Sequence, residues 1–127
     1  MATHNKTAWV VDDDAVNRFL AVSFLQHMGW ETREFLTGQE TLDAARSGFP
    51  ALMVIDISMP AMSGTELVTR LRQQPASRHT RFVAYTAHCL SEETQAMKRA
   101  GFHHILTKPV SYQHMLEAVD DPAPVDG

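Results

Sequence analysis

A chain of 127 residues is long enough to build one good hydrophobic core, and a single domain over residues 1–127 is expected, with its core at about 6–119. With 44% hydrophobic and 20% charged residues it is excluded from the disordered class, and a formal net charge of −4 argues against a basic nucleic-acid footprint. No apolar run approaches the roughly 20 residues of a membrane span, residues 1–7 hold no signal-peptide core, and the lone Cys89 permits no internal disulfide, so a cytoplasmic protein is expected.

Short apolar runs alternate with longer stretches of helical period, the pattern of βαβ units around a parallel sheet. The first strand is predicted at Thr7–Val11. A helix follows over Ala15–Met28, N-capped by Asp14, with Val16, Phe19, Leu20 and Phe24 as its inner face and Gly29 just past its end. Thr32–Phe35 reads as the second strand and Thr37–Arg46 as the second helix. Leu52–Ile55 is the third strand, and Thr65–Gln74 is a helix that stops before Pro75. The fourth strand is Phe82–Tyr85, and Ser91 is expected to cap the next helix, whose first turn carries Glu92 and Glu93. His104–Thr107 forms the fifth strand, Ser111 opens a last helix to Val119, and residues 120–127 read as a flexible tail with no output domain behind it. Five strands and five helices in strict alternation imply a doubly wound, flavodoxin-like α/β fold of strand order 2-1-3-4-5.

The strand ends carry the chemistry. Val10-Val11 runs into Asp12, Asp13 and Asp14; the third strand ends on Asp56, the fourth on Thr86, and the fifth on Lys108-Pro109. Strands 1 and 3 sit side by side at the switch point of this topology, where ligands bind. Asp12, Asp13 and Asp56 are therefore expected to share one pocket flanked by Thr86 and Lys108. Clustered carboxylates repel one another unless a cation is present. Hard oxygens with no His or Cys among them suit Mg²⁺ or Mn²⁺, with Asp13 and Asp56 as direct ligands and Asp12 holding a metal-bound water. A carboxylate oxygen can also attack phosphorus to form an acyl phosphate, with Lys108 and Thr86 binding phosphoryl oxygens. His103 and His104, adjacent on a strand, point to opposite faces and are not expected to share a metal. His88 is placed at the pocket mouth, Met59 and Met62 in loop packing, and Trp9 and Trp30 in or beside the core.

Val-Asp-Asp at 11–13, Asp-Ile-Ser-Met-Pro at 56–60 with Gly64, Thr-Ala at 86–87 and Lys-Pro at 108–109 resemble the motifs of response-regulator receiver domains over roughly Lys6 to Val119. The resemblance implies that Asp56 is the phosphoacceptor for a histidine kinase or histidine phosphotransfer protein, in a domain that catalyses its own phosphorylation and dephosphorylation. It implies that Asp12 and Asp13 serve Mg²⁺, that the Ser58 main-chain carbonyl completes the protein ligands, and that Thr86 and Lys108 sense the phosphoryl group beside a cis Lys108–Pro109 bond. Asn17-Arg18, Ala84-Tyr85-Thr86-Ala87 and Lys108-Pro109-Val110 are similar to receivers of hybrid kinases and phosphorelays. The chain departs from the usual pattern at Ile105, where receivers with a rotating switch side chain carry an aromatic, and a weak switch and a monomer or weak dimer follow from that. The alternatives are a stand-alone regulator that binds a target protein and an aspartyl-nucleophile phosphatase of the haloacid-dehalogenase type. The latter wants a second acid where Ser58 stands. A nucleotide-binding module would want a Gly-rich phosphate loop, which the sequence lacks.

Overall fold

The computed structural model describes residues 6–87 and 90–120. His88, Cys89 and the tail at 121–127 lie outside the described residues. The elements run β1 (Thr7–Val11), α1 (Ala15–His27), β2 (Glu31–Phe35), α2 (Gly38–Ala45), β3 (Leu52–Asp56), α3 (Gly64–Arg72), a 3-10 turn (Pro75–His79), β4 (Arg81–Thr86), α4 (Ser91–Ala100), β5 (His104–Thr107) and α5 (Tyr112–Asp120). The five strands are all parallel, in the order β2-β1-β3-β4-β5.

Alternation along the strands builds two cores. Ala8, Val10, Leu52, Val54, Val83 and Tyr85 face one way, under Ala21, Val22 and Leu25 of α1 and Met115 and Ala118 of α5. Trp9, Val11, Met53, Ile55, Phe82 and Ala84 face the other, under Leu67, Val68 and Leu71 of α3 and Met97 of α4. Strands buried on both sides explain their continuous apolar runs. Trp30 packs at the margin of the first core, and Met59 is buried in the second with Met62 against it.

The helix starts follow local chemistry. Asp14 accepts from the Asn17 N–H at 2.9 Å, Thr37 from Glu40 at 3.1 Å, Ser63 from Glu66 at 3.1 Å and Ser111 from His114 at 3.1 Å, each satisfying a donor the helix leaves open. Two expectations are corrected. Ser91 does not cap α4 but is its first residue; Leu90 occupies the cap position, and the Glu93 side chain reaches back to accept the Leu90 N–H at 3.0 Å. The inner face of α1 is also shifted. Val16 and Phe19 are 74% and 71% exposed, Leu20 and Phe24 are half-buried, and the fully inward residues are Ala21, Val22 and Leu25. At about 3.6 residues per turn Val16 falls on the opposite side of α1 from Leu25, and Phe19 well round from Ala21 and Leu25, so both lie off the buried face. The 3-10 turn at Pro75–His79, with Pro75 in its first turn, was not anticipated. Among the described residues no helix is long and apolar enough to cross a membrane.

Candidate functional site

Register brings the expected residues together at the carboxyl edge. Val11 of β1 pairs with Ile55 of β3, so Asp12 and Asp56, each one residue further on, lie side by side. Carboxylate oxygens of Asp12, Asp13 and Asp56 all lie within 4.8 Å of one another. Asp12 and Asp56 are buried, whereas Asp13 is exposed at the mouth. Lys108, just past β5, points its ammonium into this group, with Nζ 3.1 Å from Asp56 Oδ1 and 3.5 Å from Asp12 Oδ2. Thr86 closes the set from β4: it is buried, and its carbonyl accepts the Lys108 N–H at 2.7 Å. The Lys108–Pro109 bond is cis. Beyond Thr86 a cavity of about 240 Å³ opens between Ser58, Thr65, Ala87 and Met97.

The electrostatics are those of an under-compensated acidic pocket. Burial pushes the Asp12 carboxyl up to about 6, aided by the charge of Asp56 and opposed by the Asp14 N–H, which donates to Asp12 Oδ1 at 2.9 Å, and by Lys108. Burial alone would lower the Lys108 ammonium, but its bond to Asp56 and the two carboxylate charges outweigh it and raise the group. Asp12 Oδ2 is buried and makes no hydrogen bond among the described residues. A buried carboxylate oxygen whose one cationic neighbour is the Lys108 ammonium at 3.5 Å, beside two further carboxylates that share that single charge, suits a small hard dication. Asp12, Asp13 and Asp56 are the side chains that could hold it. Ser58 sits on the exposed loop after β3, its N–H donating to Asp56 Oδ1 at 3.1 Å.

The scaffold around Asp56 is tight. Gly64 donates its N–H to the Ile57 carbonyl at 2.9 Å, and a Cβ at this position would stand 2.5 Å from the Asp56 carbonyl oxygen and 2.9 Å from Ile57 Cα. Only glycine lets α3 start this close to the end of β3. In the intervening loop Ala61 adopts φ 69°, bridged by the Met62 N–H to the Pro60 carbonyl at 2.7 Å, a γ-turn in the strained left-handed region.

Two contributors were not singled out from sequence. Arg18 of α1 donates from Nη1 to the Asp12 carbonyl at 2.8 Å and from Nε to Glu34 of β2 at 3.0 Å, fixing the acidic turn from behind. Tyr85 is fully buried, with Lys108 Nζ 4.9 Å from its ring centroid. Both fall inside motifs quoted above, Asn17-Arg18 and Ala84-Tyr85-Thr86-Ala87, but their partners come from distant strands. Ile105 pairs with Ala84 and is half-buried against the second core, so the position beside Thr86 is filled by an aliphatic side chain.

A five-stranded 2-1-3-4-5 sheet with acids from β1 and β3, a threonine from β4 and a lysine after β5 at one edge defines a receiver-type signalling module. The chain belongs to the response regulator receiver domain family of two-component signalling, whose match spans residues 8–120. It is similar to the polar-differentiation response regulator DivK of Brucella abortus (strain 2308), with 29% identity over 114 residues, 90% of this chain and 93% of the relative. Among solved structures it is similar to the chemotaxis protein CheY4 of Vibrio cholerae, with a TM-score of 0.87 and 26% identity over 93% of this chain and 98% of that one. A CheY-like receiver domain protein from Methanospirillum hungatei JF-1 superposes with a TM-score of 0.83 at 25% identity, covering 93% of each chain.

Proposed function

We propose that this receiver domain accepts a phosphoryl group on Asp56 from a phosphohistidine of a sensor kinase or histidine phosphotransfer protein. The observation that carries the reading is the Lys108 ammonium between Asp56 and Asp12, a single cation among three clustered carboxylates, two of them buried. Mg²⁺ (or Mn²⁺), held by Asp12, Asp13, Asp56 and the Ser58 main-chain carbonyl, would neutralise charge on the transferring group. An Asp56 carboxylate oxygen forms the new P–O bond as the P–N bond to the donor imidazole breaks; the imidazole nitrogen keeps that electron pair and is protonated from solvent. Lys108 pairs with one phosphoryl oxygen and the Thr86 hydroxyl donates to another, so positioning and electrostatics do the catalysis. Attack of water on the acyl phosphate restores Asp56. The domain thus acts on itself and does not turn over a separate substrate.

The donor must approach over the mouth of the pocket, and α1, which starts directly after the acidic turn, exposes Val16 and Phe19 in its first two turns. Two large apolar side chains in its first two turns suit a protein surface more than solvent. We read the cell compartment as cytoplasmic, and the domain as a monomer or weak dimer that binds neither nucleic acid nor membrane. A relay role, in which the group passes on to a second histidine, accords with Ile105 at the switch position. The second reading, a regulator that acts by binding a target protein, is favoured by the likeness to DivK and CheY4, named as a response regulator and a chemotaxis protein.

Incubation with acetyl phosphate and Mg²⁺ should add one acid-stable, base-labile phosphoryl group, and Asp56→Asn should add none. Equal labelling of that variant sinks the assignment, and rapid release of many phosphates per chain would favour a phosphatase. Phe19→Asp should leave labelling by acetyl phosphate unchanged and slow transfer from a phosphorylated histidine phosphotransfer protein on the order of tenfold, the scale of a lost interface anchor. Unchanged transfer would move the docking surface elsewhere.

A further inference from the structure

Tyr85 is the largest fully buried side chain of the fold, and it carries a polar atom that its surroundings do not use. Its hydroxyl makes no hydrogen bond of good geometry among the described residues; burial raises the phenol above its ordinary value, opposed by the Val110 backbone and the Lys108 charge. The ring, however, lies where the chemistry is. Tyr85 pairs in register with Asp56 on one side and Leu106 on the other, so all three side chains project from the same face of the sheet. Lys108 folds back over that face, and its ammonium rests 4.9 Å from the Tyr85 ring centroid while reaching Asp56 at 3.1 Å.

A lysine ammonium rides on four rotatable methylenes and needs something to fix it. Asp12 and Asp56 do so in the resting site, but their pull changes once Asp56 carries a phosphoryl group. The face of an aromatic ring is uncharged, buried and unmodified, and its quadrupole attracts the ammonium equally in both states. Resting on the reading of Asp56 as phosphoacceptor, we propose that Tyr85 is a positioning residue that holds Lys108 Nζ over the phosphoryl site through its ring face, before and after phosphorylation.

The decisive experiment grades the ring without changing its shape. Phenylalanine and progressively fluorinated phenylalanines are installed at position 85, and two quantities are followed: the rate of Asp56 labelling by acetyl phosphate, and the ¹⁵N resonance of Lys108 Nζ. Tyr85→Phe should label within about twofold of the native rate, and fluorination should slow labelling stepwise to a total of about two- to thirty-fold, the span of a buried cation–π contact. The Nζ resonance should move in the same order. Mg²⁺ affinity, read from Trp9 fluorescence, should stay constant. In a Lys108→Ala background, fluorination should have no further effect, because the ring acts through that ammonium. Identical rates and resonances for phenylalanine and its perfluorinated form would overturn the proposal, as would an equal fluorination effect without Lys108. Absence of labelling in the native chain would instead refute Asp56 as acceptor, while the Nζ resonance still reports on the ring contact.

Discussion

The two ends of the sheet treat their polar groups in opposite ways. At the amino end the buried polar side chains of the described residues are matched: the Thr80 hydroxyl donates to the Pro50 carbonyl at 2.7 Å, Arg81 Nε to the Ala118 carbonyl at 2.7 Å, and the Phe82 N–H to His103 Nδ1 at 3.0 Å, with the His103 main-chain N–H returning to the Phe82 carbonyl at 2.7 Å. At the carboxyl end two buried polar atoms, Asp12 Oδ2 and the Tyr85 hydroxyl, make no hydrogen bond among the described residues; Ala61 is left-handed, and α3 begins in contact with the backbone of β3. Buried polar groups are usually satisfied, and exceptions gather where a ligand or a second state will use them. One end stabilises the fold; the other holds unmet demands that a cation and a phosphoryl group would meet.

The sharpest way to break this contrast is at the tightest point of the carboxyl end. Gly64→Ala places a methyl group against the Asp56 carbonyl and Ile57 Cα, both backbone atoms that cannot swing aside. We expect a loss of about 3 kcal/mol, the upper range for overpacking, together with slowed labelling as Asp56 is displaced. Urea unfolding and labelling rates measure the two effects. A variant as stable as the native chain would show that α3 can retreat freely.

Much of this end was legible in the sequence, for a physical reason. A parallel strand buried on both faces must be an apolar run, so Leu52-Met53-Val54-Ile55 marks itself, and the next residue, Asp56, is delivered to the carboxyl edge by topology alone. The same logic places Asp12, Thr86 and Lys108. What sequence does not carry is what lies beneath a side chain. Val16 and Phe19 have helical spacing for an inner face, yet they lie on the other side of α1 from Leu25 and Ala21, and the smaller Ala21 and Val22 make the close approach to the sheet. Arg18 reaches a carbonyl and a carboxylate on two different segments, and the Tyr85 contact depends on Lys108 folding back. Ser91 looked like a cap because serine prefers that role, but the tertiary path of the chain seats Leu90 there and lets Glu93 supply the bond.

A second test uses protons and Mg²⁺ to set the two ends against each other. Burial, with the Arg72 and Arg81 charges behind it, lowers the His103 imidazole below its usual 6.5. In its neutral form Nδ1 accepts the Phe82 N–H, so this contribution is full above about 6.5 and lost as pH falls toward the depressed folded value. Asp12 has the reverse sign: its folded value of about 6 lies above the ordinary 3.8, so its contribution is present below 3.8 and lost as pH rises through 6. In metal-free protein the two slopes should oppose one another where the windows overlap below about pH 6, and Asp12→Asn should remove the fall of stability with pH and leave the histidine's rise. At neutral pH, Mg²⁺ at ten times its Kd should add about 1.4 kcal/mol by mass action. Asp13→Ala should require more Mg²⁺ for the same gain. Thermal unfolding across pH, with and without Mg²⁺, checks all of these; an Asp12→Asn profile identical to the native one would remove Asp12 from the account.

The smallest effect concerns Ala61, the residue at the tip of the turn after Asp56. An alanine at φ 69° stands in a region that disfavours a Cβ by about 1–2 kcal/mol, whereas glycine enters it freely. Relief in the folded state is opposed by the wider conformational range that glycine gives the unfolded chain, about 0.5–1 kcal/mol. The two nearly cancel, so Ala61→Gly should stabilise by only a few tenths to about 1 kcal/mol, seen as a higher urea midpoint at constant slope. The sign carries the information. A gain means that the turn is held left-handed by its surroundings against the preference of alanine, with the Met62 N–H to Pro60 bond and the buried Met59 beside it as the restraints. A clear loss would mean that the loop relaxes around Ala61 and stores nothing, and the contrast between the two ends would then rest on the acidic pocket alone.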